Sequence, residues 1–136
     1  MSSALVMLTA SLFAITTNAQ IGWNLKQCRQ HWGKELSVDT DYHFQWQGWD
    51  IDAEFKKGKK GDDFGITSIV ASRIDGSDPT EKQALAFLAQ EPSFTWTRIN
   101  HQNSEWHWKG TAKYGGSHEA YLHWWPRGGL YVLYID

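Results

Sequence analysis

Several short stretches of this chain alternate hydrophobic with polar residues, and this two-residue period is typical of half-buried β-strands. In residues 42–47 the hydrophobic positions are Tyr42, Phe44 and Trp46, and residues 49–55 repeat the pattern. Short turns separate successive stretches, so we expect neighbouring strands to run antiparallel. The predicted strands cover residues 42–47, 49–55, 66–74, 94–99, 105–109, 118–125 and 130–135.

Two other segments carry the hydrophobic spacing of short amphipathic helices. The first runs from Leu25 to Trp32, with Asn24 as its N-cap and Gly33 just beyond its end. Cys28 lies on the hydrophobic face of this helix and is the only cysteine of the chain. The sequence therefore predicts a buried thiol and excludes an intramolecular disulfide.

The second helix is predicted to start within residues 78–81, with Asp78 as N-cap and Pro79 at the first helical position. It should run to about Gln90, because Pro92 prevents its continuation. The expected buried stripe consists of Ala84, Leu85 and Leu88.

These elements predict a single α+β domain over residues 20–136. Its order is helix, three strands, helix, four strands, which predicts an antiparallel sheet of about seven strands with both helices packed on one face. A helix followed by a meander occurs in residues 24–76 and again in residues 79–136, and this order suggests an internal repeat. Few identical residues relate the two units, so a true repeat and an accidental similarity of order both stay open.

One further pattern consists of Leu25, Cys28, Trp32 and Gly33, a strand with Tyr42 and Phe44, and Ile51-x-Ala53-x-Phe55 before a Gly-Lys turn. This layout resembles that of small exported bacterial proteins of uncharacterised function. The same layout is similar to the domains of beta-lactamase-inhibitor protein and of the outer-membrane assembly lipoprotein BamE. The resemblance implies a helix-plus-meander fold and an inhibitor-like or envelope-associated role. This chain lacks the disulfide-forming cysteines of the inhibitor and has no lipobox.

The N-terminal residues have the pattern of an export signal. The run from Ala4 to Ile15 is largely apolar over 12 residues, which suits a signal core and falls short of a membrane span. Thr17 and Ala19 place small residues at the −3 and −1 positions of a cleavage site before Gln20. Residues 1–19 are therefore predicted to be a signal peptide, the mature form to have no membrane span, and its location to be periplasmic or secreted.

The charge balance bears on the class of partner. The formal net charge is −2, and the isoelectric point is near 6.3. Such a chain has no overall attraction for phosphate backbones, so nucleic acid is not expected as a partner.

Tryptophan is unusually frequent, with nine residues in the chain. Alternation places four of them on predicted core faces: Trp46, Trp49, Trp106 and Trp108.

Trp124 and Trp125 are neighbours on one predicted strand, so their side chains should point to opposite faces of the sheet. Trp125 then shares its face with Tyr121 and His123, and such a face suits a sugar ring, a peptide or another protein. This hypothesis leaves two possible roles for Trp23. It either joins the binding surface or belongs to a segment that covers it.

Asp50, Asp52 and Glu54 form an acidic row on one face of the second predicted strand. Carboxylates about 7 Å apart along a strand can hold calcium or serve acid–base chemistry, as in glycoside cleavage. The alternative interpretation is a solvated face, neutralised by the nearby lysines of the next turn. These are Lys56, Lys57, Lys59 and Lys60.

Neither a metal site nor a nucleophile is predicted. His118 and His123 differ by five residues, an odd spacing that places them on opposite faces of a strand, whereas His107 and His123 can converge across strands. No phosphate-binding loop or Gly-x-Ser-x-Gly elbow occurs, and no cofactor is expected.

We therefore expect a non-catalytic binding module that recognises an extracellular or envelope protein, in an inhibitor-like manner. Two alternatives stay open at this stage. One is a carbohydrate-binding module that uses Trp125, Tyr121 and Trp23, and the other is a hydrolase that uses the acidic row.

Overall fold

The computed structural model describes residues 22–55, 65–103, 105–113 and 116–136. The predicted signal peptide, residues 1–19, and the lysine-rich turn, residues 56–63, lie outside the described residues. Two helices are described, α1 (Leu25–Trp32) and α2 (Glu81–Leu88). The strands are β1 (Ser37–Val38), β2 (Tyr42–Trp46), β3 (Trp49–Phe55), β4 (Ile66–Arg73), β5 (Phe94–Gln102), β6 (Glu105–Ala112), β7 (Ser117–Trp125) and β8 (Leu130–Ile135).

The strands form one antiparallel sheet in the order β1-β2-β3-β4-β8-β7-β6-β5. Each helix precedes a four-stranded meander, and the last strands of the two meanders, β4 and β8, pair with each other. The predicted α+β class and the antiparallel sheet are confirmed. The described sheet has eight strands rather than about seven, because β1 has only two residues and is too short to show alternation.

Both helices pack on the same face of this sheet. The Trp32 ring of α1 lies 5.3 Å from the Phe44 ring, between centroids, and the Phe87 ring of α2 lies 5.3 Å from that of Trp49. Trp32 and Phe87 also contact each other, at 6.1 Å. Phe44 and Trp49 belong to one face of β2 and β3, so this aromatic contact fixes both helices over the first meander.

The second helix differs from its prediction at both ends. The N-cap is Thr80 rather than Asp78, because the Thr80 side chain accepts from the Gln83 backbone N–H while the Gln83 side chain accepts from the Thr80 N–H. The helix ends at Leu88. Its buried stripe is Ala84, Phe87 and Leu88, whereas Leu85 is exposed.

Neither described helix is long or apolar enough to cross a membrane. The four tryptophans that alternation assigned to core faces do pack there. Trp49 and Trp108 are buried, and Trp46 and Trp106 pack half-buried against the core.

Trp23 joins the core through a long-range hydrogen bond. Its side chain is 1% exposed and its Nε1 donates to Oε2 of Glu91 over 3.3 Å. The other carboxylate oxygen of Glu91 accepts from the backbone N–H of Ser93 over 3.1 Å. Glu91 therefore satisfies two donors at the end of the second helix, which explains why this carboxylate is buried.

We predict that Glu91→Ala lowers the free energy of unfolding by about 1 to 3 kcal/mol, because the buried Trp23 N–H loses its acceptor. Glu91→Gln keeps an acceptor oxygen and should cost less. Urea unfolding of the three proteins measures both values. Equal midpoints for Glu91→Ala and the unchanged chain would contradict this role.

We also predict that Cys28 is unreactive in the folded protein. The residue is 0% exposed, and burial raises the pKa of its thiol to about 12, with a smaller contribution from Glu35. At pH 8 roughly one thiol in ten thousand is then ionised, compared with about a quarter at an ordinary cysteine. A colorimetric thiol reagent should label the protein rapidly only in denaturant, and rapid stoichiometric labelling of the native protein would show the prediction to be wrong.

Candidate functional site

The sheet face opposite the two helices is the open face of this protein. No described helix packs on it, because the buried residues of both helices belong to the core on the other side. Its side chains include His43 and Gln45 on β2; Asp50, Asp52 and Glu54 on β3; Val70 on β4; Val132 and Tyr134 on β8; Glu119, Tyr121, His123 and Trp125 on β7; Glu105, His107 and Lys109 on β6; and Asn100 and Gln102 on β5.

Five rings form a continuous cluster on the open face. The cluster, hereafter the ring cluster, consists of His107, Tyr121, His123, Trp125 and Tyr134. His107 stacks on Tyr121 with centroids 4.3 Å apart, and Trp125 stacks on Tyr134 at 5.8 Å. His123 lies between the two pairs, 5.9 Å from both Tyr121 and Trp125. The rings thus cover strands β6, β7 and β8.

The structure brings together three of the four predicted ligand-binding residues. Trp125, Tyr121 and His123 share one face of β7, as alternation along a strand requires. Trp23 does not join them, because its ring is buried on the helix side, stacked on His31 at 4.1 Å. It neither covers nor extends the ring cluster.

Trp124 provides the internal comparison for Trp125. It is the next residue on the same strand, it is 47% exposed, and its ring packs edge-on against Tyr131 at 5.5 Å. Trp124 shares its face of β7 with Leu122, which is buried in the core, and it therefore lies on the helix side of the sheet. The two tryptophans share a strand and a residue type but belong to opposite faces.

Glu119 links two members of the ring cluster. One carboxylate oxygen accepts from the Tyr121 hydroxyl over 3.1 Å, and the other lies 3.1 Å from Nε2 of His107. A carboxylate can only accept, so Nε2 carries a proton, and in the neutral ring Nδ1 is left as an acceptor. Burial raises the pKa of Tyr121, and the hydrogen bond and the charge of Glu119 raise it further.

His123 contains an unpaired polar atom within this arrangement. Its Nε2 is buried among the neighbouring rings and has no hydrogen-bond partner in the described part of the chain. Buried polar atoms without partners are rare because each one costs free energy. A phenylalanine in this place would avoid that cost, so packing alone does not account for the imidazole.

The acidic row lies beside the ring cluster, on β3. His43 bridges its first two carboxylates, with Nε2 3.0 Å from Oδ1 of Asp50 and Nδ1 2.9 Å from Oδ1 of Asp52. Gln45 also donates to Asp50 over 3.1 Å, and the Ser68 hydroxyl donates to Glu54 over 3.3 Å. In the described structure the row is thus contacted by a histidine and neutral donors, whereas the lysines expected to neutralise it lie outside the described residues.

The acidic row still produces a negative potential. Burial raises the pKa of Asp41, and the charges of Asp52, Glu54 and Asp39 raise it further. No group of three or more His, Cys, Asp or Glu side chains with the placement of a metal site occurs among the described residues. The row therefore supplies negative charge to one side of the open face.

A pocket of about 490 Å³ lies on the other side of the open face, at the end of the β5–β6 hairpin. Its walls include Asn100, Gln102, Glu105, His107 and Tyr121. Gln102 and Glu105 are directly opposite each other in the two strands, and so are Asn100 and His107. The pocket was not predicted, because it depends on strand pairing that alternation within one strand does not reveal.

Comparisons of the chain with protein-family models, curated proteins and solved structures gave no match.

We predict that Glu119→Gln lowers the pKa of Tyr121, because the substitution removes the charge that opposes ionisation of the phenol. Burial should keep the value above that of an ordinary tyrosine. NMR titration of ¹³C-labelled tyrosine rings measures the change. Tyr134 is the internal control, since its raised pKa comes from burial and from Asp136 and Glu54. An unchanged Tyr121 titration in the variant would contradict the link.

Proposed function

We propose that this chain is an exported, non-catalytic binding module that holds a protein partner on the open face of its sheet. The observation that carries the proposal is the ring cluster, which lies on a sheet face that no described helix covers. Export rests on the leader pattern in residues 1–19.

The dimensions of the open face support a protein partner. Eight strands with a spacing of about 4.8 Å span roughly 34 Å, and strands of about seven residues are roughly 23 Å long. The product is about 800 Å², which is the area that each partner contributes to a standard protein–protein interface. A small ligand would need only part of this surface.

The residue types on the open face are distributed as in a protein–protein interface. Tyrosine, tryptophan and histidine rings occupy β8, β7 and β6, with the carboxylates of β3 on one side and the amide side chains of β5 on the other. Central aromatic residues within a polar rim are typical of the residues that contribute most binding energy. Val132, which is 1% exposed, lies beside the rings and gives them a rigid support.

The charge of the face supports a basic partner surface. Five of the open-face side chains are carboxylates, namely Asp50, Asp52, Glu54, Glu105 and Glu119. Lys109 is the one lysine or arginine among the described open-face residues named above. A partner with lysine and arginine around an apolar centre complements this distribution.

The resemblance to beta-lactamase-inhibitor protein supports an inhibitor-like form of this role. The hydrolase alternative gains no support from the acidic row, because each of its carboxylates contacts a neighbouring side chain.

The two adjacent tryptophans provide the test of this proposal. Trp125→Ala removes a ring from the open face, and Trp124→Ala removes an equal ring from the opposite face of the same strand. The tagged protein and both variants are used to capture partners from the source envelope and culture fluid, with protein and glycan mass spectrometry as the readout. Circular dichroism confirms that each variant is folded.

We predict that Trp125→Ala weakens retention of one stoichiometric protein by about tenfold or more, which is the cost of losing a central aromatic side chain. Trp124→Ala should retain it. Asp52→Lys is the second variant, and it should also weaken retention by repelling a basic surface. A glycan retained through Trp125 in place of a protein would shift the function to carbohydrate binding, and equal capture by all variants would refute the proposal.

A further inference from the structure

The pocket at the end of the β5–β6 hairpin is rich in hydrogen-bond acceptors. Glu105 contributes a carboxylate, and Asn100 and Gln102 contribute amide oxygens. The pocket therefore contains hydrogen-bond acceptors, but none of its described lining residues is a lysine or arginine that could pair with them.

The hairpin fixes two of these acceptors next to each other. Gln102 and Glu105 are cross-strand partners, so their Cβ atoms lie about 5 Å apart. Asn103, which follows Gln102, has a φ of 51°, the left-handed conformation that closes a tight turn. An amide and a carboxylate thus lie side by side at the end of the hairpin.

The inner wall of the pocket adds a further acceptor and apolar surface. Glu119 holds the Nε2 proton of His107, so in the neutral ring Nδ1 is an acceptor. The rings of His107 and Tyr121 form the flat walls. Flat rings beside a carboxylate match a group that is planar, cationic and rich in donors.

We infer that this pocket binds the guanidinium group of an arginine side chain presented by the partner. A guanidinium has five N–H donors and no acceptor, it pairs with carboxylates through two parallel hydrogen bonds, and it stacks on aromatic rings. A lysine ammonium is a more strongly hydrated point charge with three donors, and it fits flat walls less well. The inference rests on the proposed function and names the side chain that the open face selects.

Three small probes test the pocket without the partner. They are the Nα-acetyl amides of arginine, of citrulline and of lysine, each titrated into ¹⁵N-labelled protein. Citrulline has almost the same shape as arginine but no charge. The readouts are the side-chain amide signals of Asn100 and Gln102.

We predict that the arginine probe shifts these signals in a saturable way, and that the citrulline probe does not. Glu105→Gln should weaken binding of the arginine probe by about tenfold, because one charge-assisted pair is lost. Glu54→Gln is the matched control, since Glu54 lies on the same face but four strands away from β6 in sheet order. It should leave the affinity for the probe unchanged.

Equal shifts by arginine and citrulline, equal binding of lysine, or full binding by Glu105→Gln would overturn the inference. The outcomes also separate it from the proposed function. Partner capture that depends on Trp125 without binding of the arginine probe refutes the pocket assignment alone. Binding of the arginine probe without any partner that depends on Trp125 refutes the proposed function, and with it the role of the pocket in partner recognition.

Discussion

The pairing of β4 with β8 is the interaction on which the architecture depends. Each meander ends at this pair, and three registered residue pairs join the two meanders into one sheet. Ile69 faces Ile135 and Ala71 faces Leu133 on the helix side, where all four side chains are fully buried. Because of this junction, the two helices cover one side of a single sheet, and the other side becomes one continuous surface.

The side chains of the open face make more contacts with one another than a solvent-exposed sheet face requires. A sheet with one buried face can be stable with small polar residues on the other. Here the open face has a stacked ring cluster, a histidine with a buried unpaired nitrogen, and a histidine that bridges two carboxylates. Positions where local stability is not optimised are expected to serve function. These features support the proposal that a partner completes this surface.

Sequence patterns predicted what depends on local geometry. Alternation along β7 was enough to group Trp125, Tyr121 and His123, and helix spacing was enough to place Cys28 in the core. For the N-cap of the second helix, two local sequence signals favour different residues. The Asp-Pro pair favoured an early start of the second helix, but the reciprocal hydrogen bonds of Thr80 and Gln83 determine the cap.

Other features depend on sheet order and could not be read from one strand. Tyr134 joins the ring cluster because β8 neighbours β7, and His43 bridges the acidic row because of the β2–β3 register. Trp23 is buried through a hydrogen bond to Glu91, 68 residues away. The hairpin pocket likewise depends on strand pairing, because Tyr121 of β7 lines it together with residues of β5 and β6.

Hydroxyl-radical footprinting of the protein, free and with its captured partner, measures directly which face of the sheet the partner covers. We expect Trp125, Tyr121 and Tyr134 to lose reactivity when the partner binds, while the exposed Trp124 keeps its reactivity. Protection of Trp124 with unchanged reactivity of the ring cluster would place the partner on the helix side and rule out the open face as its binding surface.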